Sequence, residues 1–389
     1  MKVLHVIPSL SPSQGGPSLV LPVMAEALAK RGVQVDVVTT DDDGHGRRVP
    51  DGVTADWQER EGWRLRMFPK QTEFYKVSLP LRRWLREHVA DYDVVHVHAV
   101  FSFASSAACS AARAAGVPFI VRPLGVLNAW GMRNRRRWIK AQSFRWLDKP
   151  LLDAAAAIHY TSQAEADEAA ALAIRARPVV IPLGTDLRGF DALPSPSLFH
   201  AAHPQAADGR NVLFLSRLDP KKGLELLLDA FAVSGARRQG WRLVVAGAGE
   251  ASYEAMLKTR AESLGLQDCL LWTGFLEGGQ KLSALAACQM FVLPSSSENF
   301  GIALLEAMAS GLPCVSTEGV ALAKDAAASG AVLLAERRAP ELASIMDRLA
   351  ESAELRESLG CRAADLARNA YSAEAMATAL ENLYLQSRK

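Results

Sequence analysis

The chain has 389 residues, with 44 Lys plus Arg against 42 Asp plus Glu, so 44 − 42 gives a formal net charge of +2. Its apolar fraction is 49% and its charged fraction 22%, an ordinary globular composition that excludes a disordered, collagenous or coiled-coil chain. No apolar run approaches the ~18 residues of a membrane span, and the balanced charge gives no reason to expect a nucleic-acid partner.

At about 100–200 residues per domain, two domains are expected. Met1-Lys2-Val3-Leu4-His5-Val6-Ile7-Pro8 reads as a buried first strand and not as a signal peptide, because its apolar stretch is short and ends at a proline. A turn with Gly15, Gly16 and Pro17 follows, and then a helix over 19–31 that Gly32 can end. A strand at 33–38 leads to Asp41-Asp42-Asp43, which reads as a solvated loop run in preference to a metal site. The strand at 93–98 ends on His96-Val97-His98 and precedes an Ala/Ser-rich helix reaching Gly116. Strands at 117–122 and 156–160 continue the series. Residues 193–209, rich in Pro, Ser, Ala and His, read as a linker.

A second set begins with a strand at 211–216 and continues as helix 224–233, strand 243–246, helix 253–264, strand 290–293 and helix 302–309. Short apolar strands alternating with amphipathic helices are the pattern of parallel α/β structure. The expected architecture is two doubly wound, Rossmann-like domains facing a cleft: 1–190, 191–370, and a last helix at 371–389. Residues 1–190 hold 25 basic and 19 acidic side chains, and 191–389 hold 19 and 23. The basic first half fits an anionic partner or a membrane surface. The five cysteines are scattered with no C-x-x-C, so reduced thiols in a cytoplasmic setting are expected and neither a disulfide framework nor a zinc cluster.

The sharpest chemistry lies at 293–311, where a strand ends at Pro294, a Ser-rich turn carries Glu298, and a helix carries Glu306. In open α/β sheets, ligands bind outside the carboxyl ends of the strands. Amides around Phe300, Gly301 and Ile302 would stand at the helix N-terminus, and two carboxylates beside them suit a ligand rich in hydroxyls. Alone, Glu298 could be a cap and Glu306 a solvated helix residue. The segment 214–224 also follows a strand and opens a helix, and it sets Arg217 and Lys222 near that N-terminus, a diphosphate site in outline. Gly247-x-Gly249 follows a strand, but Ser252 stands where a dinucleotide fingerprint needs its third glycine.

Gly15-Gly16, His98, Leu183-Gly184-Thr185-Asp186, Ser216-Arg217 with Lys221-Lys222-Gly223, Gly247-x-Gly249, and Pro294-x-x-x-Glu298-x-Phe300-Gly301-x4-Glu306 together resemble a family 4 retaining glycosyltransferase of GT-B fold. The stretches at 121–127 and 158–165 resemble bacterial members that build surface polysaccharides. The resemblance implies a last helix that crosses back to the first domain. It implies that Arg217 and Lys222 neutralise a donor diphosphate, with Gly15, Gly16 and Gly247 close to the nucleotide-sugar. Glu306 would hold ribose hydroxyls. Glu298, Asn299 and the amides of Phe300, Gly301 and Ile302 would hold the donor sugar, and His98 would reach that sugar from the first domain, with His96 as the competing choice. His98, Arg217, Lys222 and Glu298 form the expected catalytic set.

Residues 130–149 interleave seven basic residues with three Trp and a Phe. Arg133, Arg135, Arg136, Arg137, Trp138 and Lys140, with Arg122, are the expected acceptor or membrane contacts. Ile139, Phe144 and Trp146/Leu147 fall on one helical face. The tail 381–387 resembles a protease tag with Leu385 in place of Phe, but Met376, Leu380, Leu383 and Tyr384 keep helical spacing and read as native helix.

The expected function is transfer of a hexose from a UDP- or GDP-linked sugar to a glycan or lipid-linked glycan acceptor. No cofactor, metal or nucleic acid is expected, and the expected setting is cytoplasmic, peripheral on the inner face of the plasma membrane. The alternatives are a non-catalytic nucleotide-sugar-binding protein, a GT-B sugar-nucleotide epimerase, and an NAD-dependent oxidoreductase, which the broken fingerprint disfavours.

Overall fold

The structure is a computed structural model that describes every residue except 12–15, 51, 52, 54, 55, 128–143, 208, 299 and 389. The chain forms two compact units, one of Met1–Thr185 with Ser372–Lys389 and one of Asp186–Tyr371. The division falls at Thr185 and not within 190–210. Among the described residues, no helix is long and apolar enough to cross a membrane.

Among the described residues, the first unit is built on eight strands: β1 (Lys2–Ser9), β2 (Gln34–Thr40), β3 (Gln58–Glu59), β4 (Trp63–Phe68), β5 (Val94–His98), β6 (Phe119–Arg122), β7 (Ala157–Tyr160) and β8 (Arg177–Val180). Their order is β3-β4-β2-β1-β5-β6-β7-β8. All pairs are parallel except β3 with β4. Val3, Leu4 and Val6 of β1 are fully buried, as a parallel sheet covered on both faces requires. Helix Phe103–Ala115 shows why the flanking helices begin and end where they do. Ser102 caps it by accepting from the Ser105 amide, and Gly116 ends it with a left-handed φ of 70°.

The last helix, Ala373–Ser387, belongs to this first unit, as the resemblance implies. Ser372 caps it by accepting from the Ala375 amide. The Ala373 amide donates to Thr185 O at 2.9 Å, so the chain returns beside the point where it left. Met376, Ala377, Leu380, Leu383 and Tyr384 are buried in one core with Leu21, Met24 and Leu28 of helix Gly16–Lys30. Their three- and four-residue spacing places them on one helical face.

The acidic run is not a solvated loop. Asp41 accepts from the Lys70 amide at 2.7 Å, and Asp42 pairs with Lys70 and Lys76, each at 2.8 Å. Lys70 is itself 1% exposed. A lysine so enclosed needs the carboxylates of Asp42 and Glu73, each 2.8 Å from its ammonium, because an unpaired buried charge is far too costly.

The second unit holds six parallel strands: β9 (Asn211–Leu215), β10 (Arg242–Ala246), β11 (Leu270–Gly274), β12 (Met290–Leu293), β13 (Cys314–Ser316) and β14 (Val332–Leu334). Their order is β11-β10-β9-β12-β13-β14. The stretch expected as a linker folds into this unit. It forms a short helix, Ser197–Ala202, whose Phe199 is buried and whose Phe199 amide donates to Ser283 Oγ at 3.0 Å.

Replacing Leu380 by Ala is expected to destabilise the first unit by about 2–5 kcal/mol, the usual cost of emptying a closed aliphatic site. Chemical denaturation followed by tryptophan fluorescence measures it, and a loss below about 1 kcal/mol would place the last helix outside the core.

Candidate active site

The second unit brings its chemistry together at the carboxyl ends of β9, β10 and β12. β9 passes into Ser216-Arg217-Leu218, and a 3-10 turn, Pro220–Lys222, delivers the chain to helix Leu224–Val233 through Gly223. Gly223 has a φ of 73°, and a Cβ there would lie 2.3 Å from Pro294 O. After β10, a Cβ on Gly247 would lie 1.9 Å from Ser216 O. Both positions therefore require glycine for close backbone approach as well as for conformation. The Leu218 amide donates to Ala248 O at 2.9 Å, and the Ser296 amide donates to Lys221 O at 2.7 Å. The three loops are thus joined backbone to backbone.

This frame sets Lys222 Nζ directly on Glu298 Oε2, with both side chains mostly enclosed. The Glu298 amide donates to Gly319 O at 2.8 Å, which fixes the residue beside the β13 loop. Gly301, with a φ of 99°, caps helix Ile302–Ala309. Glu306 lies within that helix and accepts from Lys281 Nζ at 2.6 Å. Lys281 stands on helix Gly278–Ala287, and the sequence reading did not single it out. Arg217 is different in kind. Its side chain is 74% exposed and its nearest carboxylate, Asp219, is 3.8 Å away. The Phe300 ring packs 6.0 Å from the Tyr371 ring. Ile302 is exposed at the helix start. Asn299 and Gly15 lie outside the described residues, and Gly16 opens helix Gly16–Lys30.

In the first unit, His98 ends β5 but is fully buried, as is His96. His98 lies in a cluster of buried rings. His98 Nε2 is 2.9 Å from His5 Nδ1, and His96 Nε2 is 3.3 Å from His159 Nδ1. Tyr384 Oη of the last helix is 2.8 Å from His96 Nδ1 and 3.4 Å from His5 Nε2. Parallel register explains the gathering, since His5 pairs with His96 across β1 and β5. Burial, with the neighbouring Arg122 charge, pushes the His5 and His159 imidazoles down from 6.5 to about 3. It holds His96 and His98 well below their usual range as well. Arg122 is 2% exposed, and burial lowers it to about 10. It is a core residue, too enclosed to lie on a membrane surface.

Arg133, Arg135, Arg136, Arg137, Trp138 and Lys140 lie outside the described residues. At the described end of that stretch, Phe144 is buried while Trp146 and Leu147 are exposed. The three do not share one face, because Phe144–Asp148 winds as a wider π turn.

Residues 15–184 match the family described as glycosyl transferase 4-like domain, and residues 198–365 match glycosyl transferases group 1. The chain belongs to the family 4 glycosyltransferases. This glycosyltransferase is 28% identical over 319 residues to the GDP-mannose:cellobiosyl-diphosphopolyprenol alpha-mannosyltransferase of Xanthomonas campestris, covering 80% of this chain and 77% of that one. It is 25% identical over 395 residues to the Komagataeibacter xylinus protein of the same name, covering 99% and 93%. The crystal structure of Anabaena HepE in complex with UDP matches with a TM-score of 0.76 at 20% identity, covering 99% of this chain and 100% of that one. The fold is GT-B.

The buried imidazoles give the glycosyltransferase an acid-sensitive first unit. The unfolded chain takes up the protons of His5 and His159 near pH 6.5 and the folded unit only near pH 3. Stability therefore falls as pH drops through that window, by about 1.4 kcal/mol per pH unit for each imidazole. Thermal melts at pH 7 and pH 5 check this, and equal midpoints would contradict neutral burial.

Proposed function

We propose that this glycosyltransferase is a retaining hexosyltransferase. It moves a hexose from a UDP- or GDP-linked sugar to a hydroxyl of a glycan or lipid-linked glycan acceptor, without a metal, in bacterial polysaccharide biosynthesis. The observation that carries this reading is the pair of lysine-held carboxylates, Lys222 with Glu298 and Lys281 with Glu306, at helix Ile302–Ala309.

Each pair balances a charge that a nucleotide sugar would engage. Lys222 has three N–H donors, so an incoming diphosphate competes with Glu298 for the ammonium. The exposed Arg217 supplies a second cation. Together they stabilise the charge that grows on the departing diphosphate, where preorganised cations act most strongly. Glu298, released from its lysine, accepts bonds from donor-sugar hydroxyls. Glu306, oriented by Lys281, accepts from ribose. The acceptor hydroxyl attacks on the leaving-group face and passes its proton to a donor phosphate oxygen, which keeps the anomeric configuration.

The names of the Xanthomonas and Komagataeibacter relatives make GDP-mannose and a disaccharide on a polyprenyl diphosphate the first substrates to try. The basic, aromatic stretch at 130–149 would meet the anionic lipid surface in which such an acceptor sits, at the inner face of the plasma membrane.

The test is product analysis by NMR after incubation with GDP-mannose or UDP-glucose and that acceptor, with and without EDTA. An α-linked product formed equally in EDTA is expected. An inverted linkage, or loss of turnover in EDTA, would sink the mechanism. Lys222→Ala should lower turnover by about 10²–10³-fold, the scale for removing one charge-stabilising donor. Glu306→Gln should raise the donor KM by about 10–100-fold with little change in kcat, as loss of a charge-assisted hydrogen bond predicts. An unchanged KM would remove Glu306 from the ribose site.

A further inference from the structure

The rings of the first unit form one continuous hydrogen-bonded chain, and one end of it is fixed. His159 Nε2 lies 2.9 Å from Ile181 O, a backbone carbonyl that can only accept. His159 must therefore carry its proton on Nε2. Being neutral, it leaves Nδ1 bare, so His96 Nε2 must donate to it. His96 Nδ1 is then bare and accepts from the Tyr384 hydroxyl. The Tyr384 oxygen in turn accepts from His5 Nε2, and the bare His5 Nδ1 accepts from His98 Nε2. The direction of every bond follows from the one carbonyl at the far end. The last atom is His98 Nδ1, which is buried and makes no hydrogen bond among the described residues.

We propose that this chain is a positioning device, in which Tyr384, His5, His96 and His159 hold His98 as the Nε2-protonated tautomer, so that the sugar contact the family resemblance implies for His98 would be made by a bare, accepting Nδ1. The substrate part rests on the transferase reading above, whereas the tautomer part stands without it. Tyr384 is the joint of the chain. Its hydroxyl stays protonated because burial raises it well above 10, and it both donates to His96 and accepts from His5. A buried acceptor with no donor is costly, and a hydroxyl is the neutral donor that would relieve it. His98 is thus set to receive a proton-bearing group, and it cannot itself donate from that nitrogen. The connection that follows β5 is strained, with φ of 78° at Ala99 and 57° at Phe101, as is common beside functional sites.

The same cluster has a metal-like feature, since ring nitrogens of His5, His96 and His98 lie within 4.8 Å of one another. Arg122 argues against a cation there. It pairs with His98 across β5 and β6, and its charge bears on all four rings. A metal would also have to break the hydrogen bonds that order the chain.

The experiment is long-range 1H–15N correlation on the full chain labelled with 15N-histidine, which tells a protonated ring nitrogen from a bare one. Signals are assigned with single His→Asn variants. At pH 7 all four rings should be neutral and protonated on Nε2. A charged ring, an Nδ1–H ring among the four, or a divalent metal found by elemental analysis would overturn the proposal. Tyr384→Phe keeps the shape of the side chain and cuts the joint. It should leave His96 and His159 as they are, while His5 and His98 become a mixture of tautomers, a pattern that general loosening would not produce. An unchanged pattern would remove Tyr384 from the role. The probes GDP-mannose, UDP-glucose and cellobiose then test the ligand. Movement of the bare His98 Nδ1 signal with one of them and not with GDP or UDP is expected, and it names the donor or the acceptor as the source of the hydroxyl. A probe whose binding is seen by thermal shift but which leaves Nδ1 unmoved overturns the contact. Failure of every probe to bind would count against the transferase reading while the tautomer result stood.

Discussion

The second unit depends on places where one backbone lies so close to another that no Cβ fits. Gly223 against Pro294 O and Gly247 against Ser216 O fasten the loops after β9, β10 and β12 into one surface. The ion pair of Lys222 with Glu298 is a consequence of that fastening and not its cause. A partly exposed pair contributes only ~0–1 kcal/mol, whereas forcing a side chain into a backbone contact of about 2 Å moves the loops apart. The charged groups are therefore held in place by steric closeness, and they stay placed when a ligand takes over one member of the pair.

The two lysine–carboxylate pairs give the site a common logic. Each carboxylate is presented with a cation already on it, so neither is buried uncompensated. Each cation is also the kind of group that a phosphate or a hydroxyl-rich ligand can share. The asymmetry lies with Arg217, whose side chain extends into solvent.

Much of this was legible in the sequence because the features are local. Strand, glycine turn and helix N-terminus are consecutive at 211–224 and at 290–306, so Lys222, Glu298 and Glu306 could be read directly. What was missed depends on residues far apart in the chain. Lys281 finds Glu306 only through the packing of two helices. His5, His96, His159 and Tyr384 meet because parallel strands set them in register and the last helix returns. β4 escaped notice because Arg64 and Arg66 interrupt its buried Trp63, Leu65 and Met67, and β13 and β14 have three residues each. The Pro- and Ser-rich stretch near 195 looked like a linker by composition, but it carries an aromatic anchor, Phe199, that is buried in the second unit. The acidic run at 41–43 looked solvated because its partners, Lys70 and Lys76, lie a loop away.

The return of the last helix also sets an order of assembly. A ribosome completes the whole second unit, 371 − 185 = 186 residues, before it makes the segment that closes the first. At about 5–20 residues per second, that interval is on the order of 10–40 s. Until it ends, the apolar face of helix Gly16–Lys30 has no covering helix, and the imidazoles of β1 and β5 lack the phenol that joins them. The nascent chain thus carries a complete second unit beside an unfinished first one, and the group that joins the buried rings arrives only after that interval.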